Sequence, residues 1–288
     1  LNDPQVRLWS TLFVSVAVQA LPFLVLGVVI SGSVAAFLPP DLVRRLTPQR
    51  KVLAVPVAGL AGMALPGCEC GAVPIAGRLI GAGTPPAAAL TFLLAAPAIN
   101  PVVLVSTAVA FPNDRMMVVA RFVASFVAAI AVGTWWARRG DRTPLAGISA
   151  HDDDRKVGRM QQFTDAASRD LVHAGGYLIV GAMAAATIQL AVPRSVIDTA
   201  AGGTLLPVLT MALLAVLLSI CSEADAFVAA GMPQFSLSSR LVFLVVGPMV
   251  DLKLIALQAG VLGRRFAAVF APVTLVVAIV SATAVGRV

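Results

Sequence analysis

The chain has 288 residues, 59% of them hydrophobic and only 12% charged, about half the charged fraction of a soluble domain, which excludes a water-soluble fold. Its net charge of +7 does not mark a nucleic-acid surface, because the basic residues cluster in DLVRRLTPQRK and between Arg138 and Arg169, as in cytoplasmic loops of membrane proteins. Three cysteines, none in a loop, exclude a secreted disulfide framework.

Six apolar runs predict full membrane spans, near residues 8–37, 86–111, 116–137, 169–192, 241–262 and 266–286; each reaches or approaches the ~20 residues that cross ~30 Å of hydrocarbon. The sequence opens at Leu1 rather than Met, which leaves room for a preceding piece, and the first run is too long for a signal-peptide core. Loop 38–51 follows, with four basic residues. From Lys51 to the Pro66-Gly67 break there are only about 15 residues, about 22 Å of helix, too short to span. Residues 52–82 are therefore expected to enter and leave on one side as a re-entrant hairpin with PGCECG at its tip. Pro97 in AAPAINP is expected to break the next span, with Asn100 one turn further on. After span 116–137, the mixed-charge segment 138–168 has no hydrophobic period and reads as a cytoplasmic linker. In the second half, residues 204–239 are expected to form another hairpin, with SICSEAD at its tip. Pro248 in VGPMVD interrupts span 241–262 there, with Asp251 beyond it.

A shift of 151 residues lays one half on the other without a gap: Pro56 falls on Pro207, Cys70 on Cys221, Phe92 on Phe243, Pro97 on Pro248 and Asn100 on Asp251. A slightly different shift pairs FLVLG from Phe23 with YLIVG from Tyr177. Cys and Pro are scarce enough for these matches to indicate an internal repeat. Segment 138–169 holds seven basic residues, so both it and loop 38–51 belong on the cytoplasmic side, and an even number of crossings lies between them. The expected fold is an all-α integral membrane protein of two inverted-topology repeats, 1–137 and 169–288, each with three transmembrane helices and a hairpin. The competing topology, with each hairpin a broken full span, would put the basic linker outside.

Non-helical backbone within a membrane must be buried in protein or line a cavity, since lipid cannot satisfy free N–H and C=O groups. An unwound tip lets Cys68 and Cys70 share a face, because residues two apart point the same way only in extended chain. Cys68, Cys70 and Cys221, with Glu69, Glu223, Asp225, Asn100 and Asp251, are expected to converge near the midplane. Thiols select soft ions, Cu(I), Zn(II) and by the same softness trivalent arsenic, so the three cysteines are the candidate metal or metalloid ligands, with Asn100 and Asp251 lining the site. Met63 and Met249 lie close enough in sequence to add thioether contacts. Intramembrane carboxylates are costly and by default functional, which gives Glu69, Glu223 and Asp225 the role of proton coupling or of contact with a bound cation. The competing reading of the thiols is simple packing, and of the carboxylates pairing with backbone N–H groups. Asp251 and Lys253 are two apart and would not face each other on a regular helix, so Lys253 is expected to counter a carboxylate elsewhere or to snorkel. His151 and His173 are unpersuasive as ligands, and no phosphate-binding loop is present.

PGCECGAVPIAGRLIGAG, LAAPAINPVVL, CSEADAFVAAG and GPMVDLKLIAL resemble the predicted-permease family that includes trivalent organoarsenical efflux permeases and relatives associated with copper or zinc efflux. The resemblance covers both halves. It implies a bacterial inner-membrane permease, not an enzyme, that exports a soft, thiol-reactive solute through Cys68, Cys70 and Cys221. No cofactor or nucleic acid is implied; the partners are membrane lipid and a small soft metal or metalloid, and a homo-oligomer is compatible. A competing class is a transmembrane thiol-disulfide conductor using Cys70 and Cys221. It leaves Cys68 and the carboxylates without a role. A passive channel is disfavoured, since thiols retain soft ions.

Overall fold

The structure, a computed structural model, describes residues 4–37, 51–64, 69–139, 158–191, 205–218 and 221–287. Cys68 and most of the expected linker lie outside them. Among the described residues the only regular elements are helices: α1 (Pro4–Phe37), α2 (Lys51–Gly62), α3 (Glu69–Gly81), α4 (Pro86–Ile99), α5 (Pro101–Ala110), α6 (Met116–Arg139), α7 (Arg159–Ala191), α8 (Leu205–Leu218), α9 (Ala224–Ala230), α10 (Leu237–Val246), α11 (Leu252–Val261) and α12 (Arg264–Val285). One order occurs twice, from α1 to α6 and from α7 to α12: a long helix, two short ones, an interrupted pair and a long helix.

Among the described residues, four stretches are long and apolar enough to cross a membrane: Pro4–Ser33 in α1, Pro86–Ala110 across α4 and α5, Met116–Arg139 and Arg264–Val285. The chain is a multi-pass membrane protein. The other two of the six expected spans, one of them expected to be interrupted at Pro248, fall outside these four. Residues 241–262 fall in two helices of 10 residues each, α10 and α11. The run 169–192 lies in the later turns of the 33-residue α7, which starts at Arg159 within the expected linker.

The interruptions are capped breaks. Pro97 lies inside α4, so the first break is at Asn100 itself and not one turn before it. Pro101 opens α5 and disfavours helical backbone in the residue before it. Asn100 is extended (φ −68°, ψ 157°), and its side chain accepts the Val103 N–H at 2.9 Å. Asp251, also extended (φ −140°, ψ 170°), accepts the Leu254 N–H at 2.6 Å and starts α11. Both residues are N-caps, which satisfy backbone donors that a broken helix would leave bare.

Packing follows hydrophobicity. Ala87 to Ile99 of α4 and Leu241 to Val246 of α10 are buried at every position, as expected of helices apolar on all faces. The short helices α2 and α3 both pack on α4, and α8 and α9 both pack on α10. The long helices pair antiparallel. Trp9 Nε1 of α1 donates to Thr187 Oγ1 of α7 at 3.0 Å, and towards the other end Ser31 Oγ donates to Asp170 at 2.8 Å. The Trp136 ring of α6 lies 5.1 Å from that of Phe266 in α12, while Ser281 donates to the Ala124 carbonyl at 3.0 Å. The halves also interlock, with α3 on α11 and α9 on α5. Exposed Val14, Val18, Val105, Val276 and Val280 give the outside an apolar surface suited to lipid.

Close approach of backbones depends on small residues. A Cβ added at Gly27 of α1 would run into the Gly71 backbone of α3, whereas one added at Gly176 of α7 has nothing within 4 Å. Gly27→Leu should lower thermal stability in detergent by about 1–3 kcal/mol or more, the cost of overpacking, and Gly176→Leu should melt like the wild type.

Candidate functional site

The ends of the interrupted elements bring ionisable groups inside the protein. Glu69 is the first residue of α3, and its carboxylate and the Cys70 beside it are buried. Because α3 packs on α11, Glu69 Oε1 lies 2.7 Å from Lys253 Nζ. The same ammonium lies 2.7 Å from Asp251 Oδ2. The expectation that Asp251 and Lys253 do not meet is corrected here. Helix spacing does not govern them, because Asp251 is an extended cap that folds back over the first turn of α11. Lys253 also lies within electrostatic reach of Cys70.

The second cluster surrounds the start of α9. Cys221 Sγ donates to Glu223 Oε2 at 2.5 Å. Cys221 is buried and Glu223 half-buried. Asp225 is buried; its Oδ2 lies against Gly247, and that oxygen has no hydrogen-bond partner among the described residues. It lies within electrostatic reach of Arg121, Lys253, Glu69 and Asp251, which joins the two clusters.

Arg121, on α6, is the member that the sequence reading missed. It is fully buried; Nη1 donates to Thr107 Oγ1 at 2.7 Å and Nη2 to the Ser222 carbonyl at 3.0 Å. The signal was present, since a lone Arg in MMVVARFVASFVAAIAV is an intramembrane charge. Its partners lie 14 and 101 residues away, beyond any spacing argument.

The remaining candidates are placed as follows. Asn100 is buried and held by backbone, accepting from Val103 and donating to the Ala96 carbonyl at 3.0 Å. Met249 is buried at the second break, and Met63 is half-buried at the end of α2. His173 stacks obliquely near Tyr177 on α7, and His151 lies outside the described residues. Cys70 and Cys221 are both buried. Among the described residues no group of three or more His, Cys, Asp and Glu side chains is placed to hold a metal ion. Cys68, the third thiol expected there, lies outside that set.

Apolar helices, capped breaks and a buried charge cluster define a polytopic membrane protein with a polar centre, the construction of a transporter rather than of a membrane anchor. The comparisons carry this further: the family described as predicted permease matches residues 5–286, and the chain belongs to it. A UPF0718 protein of Bacillus subtilis, YcgR, is 35% identical over 279 residues, 95% of this chain and 94% of that one. A Streptococcus mutans protein, provisionally named a two-component membrane permease complex subunit, is 33% identical over 282 residues, 96% and 94% of the two chains. No solved structure matches.

Replacing Asp251 separates its two roles. Asp251→Asn keeps a cap for α11 and removes one charge from Lys253; Asp251→Ala removes both and should be the less stable by about 1 kcal/mol, the usual worth of an N-cap. Lys253→Met, which strands two buried carboxylates, should be the most destabilised of the three, by about 3–5 kcal/mol. Thermal melts of the purified proteins give the order.

Proposed function

We propose that the protein is a bacterial inner-membrane permease, not an enzyme, that exports a soft, thiol-reactive solute, a trivalent organoarsenical or a soft metal ion. The observation that carries this reading is that each half contributes one buried cysteine beside a carboxylate, Cys70 beside Glu69 and Cys221 on Glu223, at the start of a short interior helix. A packing role would require neither the carboxylates nor the buried cations around them. Cys68, two residues before Cys70 in the sequence, is the third thiol of the set, with Asn100 and Asp251 lining the path.

Two inverted repeats are the architecture we infer. It is supported by the 151-residue register, by the two runs of helices in the same order and by the antiparallel pairing of equivalent long helices, α1 with α7 and α6 with α12. In that arrangement the short helices are re-entrant hairpins, one from each face, whose tips meet at the centre. Transport is coupled to protons. Asp225 is the carrier best placed for it, buried and with an oxygen lacking a hydrogen-bond partner among the described residues; Glu69 and Glu223 act beside the thiols.

Uptake of externally added methylarsenite, arsenite, Cu(I) or Zn(II) into everted membrane vesicles, with and without a proton gradient, tests the proposal. Vesicles containing the protein should accumulate at least one of these solutes. Cys70→Ser and Cys221→Ser should each abolish accumulation, because Ser keeps the size but loses the soft donor, while Asp225→Asn should abolish only the gradient-driven part. Accumulation of none of the four, with exchange of thiol reductant across the membrane instead, would favour a thiol-disulfide conductor. Cysteines introduced at Arg45 and Asp153 should react with an impermeant maleimide from the cytoplasmic side, and those at Arg115 and Arg194 from outside; labelling of Asp153→Cys from outside would overturn the inverted arrangement.

A further inference from the structure

We propose that Arg121 and Lys253 are positioning residues that act reciprocally. Each half of the chain supplies one buried cation that grips the start of the other half's interior short helix and holds in place the thiol next to the point of grip. The inference rests on the permease reading for its functional meaning, but its geometry is independent of any solute.

The two cations are built alike. Arg121, in the first half, is anchored there by Thr107 of α5 at 2.7 Å and reaches into the second half to the Ser222 carbonyl at 3.0 Å. Ser222 directly follows Cys221, and the Cys221 carbonyl accepts the N–H groups of Ala224 and Asp225 at the opening of α9. Lys253, in the second half, is anchored there by Asp251 at the cap of α11, at 2.7 Å, and reaches into the first half to Glu69 at 2.7 Å. Glu69 directly precedes Cys70 in the first turn of α3. The anchors belong to corresponding helices, α5 and α11, and so do the gripped segments, at the starts of α3 and α9.

The residues themselves do not correspond. In the 151-residue register Arg121 falls on Pro272, and Lys253 falls on Val102. Duplication alone therefore did not deliver the matching pair; two unrelated positions supply the same kind of grip. Packing does not explain it either, because an apolar side chain of similar volume would fill either place without the desolvation of a buried charge. A charge-assisted hydrogen bond does something that packing cannot: it fixes a polar group at a set distance and direction. Arg121 and Lys253 thus tie each thiol to a helix pair of the opposite half, so displacement of one half carries the other half's thiol with it.

Hydrogen exchange of the purified, lipid-reconstituted protein, read by mass spectrometry without solute, tests this. Arg121→Gln should speed exchange in peptides covering 221–230 by about tenfold beyond any change in the other helices, the loss expected for a hydrogen bond to a charged group, and should spare those covering 69–81. Lys253→Gln should do the reverse. Arg121→Lys and Lys253→Arg keep the charge and should show the same selectivity at smaller size; they carry the test if the Gln variants do not fold. Equal acceleration at both segments, no excess at either, or an excess at the segment of the cation's own half would overturn the proposal. Since no solute is used, such a result would leave the permease reading standing. That reading fails separately, if vesicles holding the wild-type protein accumulate no solute.

Discussion

The ammonium of Lys253 lies 2.7 Å from Glu69 and 2.7 Å from Asp251 with all three side chains buried, and this ion cluster constrains what surrounds it. Charges withdrawn from water remain charged only when partners replace the lost hydration, and removing one partner leaves the others stranded at a cost of several kcal/mol. The cluster therefore requires that the first turn of α3 and the break before α11 stay together. These segments belong to different halves of the chain, so the halves are held at their centres by electrostatics as well as by the packing of α1 on α7 and of α6 on α12. Beside the cluster, Asp225 and Arg121 extend the polar centre to the start of α9.

Short helices make such a centre possible. A continuous apolar helix satisfies its own backbone and offers an interior only side chains, whereas one that stops inside the protein presents N–H groups and a cap residue. Asn100 and Asp251 are those caps at corresponding breaks, and α3 and α9 begin within the same interior. The polar atoms so exposed must be answered by protein, by water or by a passing solute. On the proposed reading, thiols placed there combine a soft donor with surroundings of fixed charge, and this would distinguish Cys70 and Cys221 from cysteines that merely fill space.

Much of this was legible in the sequence, for identifiable reasons. Span length follows from bilayer thickness, and the shortness of the segment between Lys51 and Pro66 already separated α2 from a full crossing. Scarce residues, Cys and Pro above all, carried the internal register that pairs Cys70 with Cys221 and Asn100 with Asp251. What was not legible depended on backbone conformation or on distant partners. Pro97 was read as the break, but a proline acts most strongly on the residue before it, and Pro101 moved the break to Asn100. The pairing of Asp251 with Lys253 was rejected on helix spacing that an extended cap does not obey. Arg121 disappeared into an apolar run, since Thr107 and Ser222 become its neighbours only through the fold. The polar start of α7 reads as linker because its charges, Arg159 and Asp165, obscure a helix whose packing against α1 is tertiary.

The central claim is that the two halves form one solute site, with Cys70 and Cys221 acting on the same bound molecule. It is tested most directly by the alkylation of each cysteine in the reconstituted protein, quantified by peptide mass spectrometry, before and after addition of a single equivalent of methylarsenite. One equivalent should protect both Cys70 and Cys221 together. Protection of neither, or of only one until further equivalents are added, would mean that the thiols serve separate places and would contradict the account.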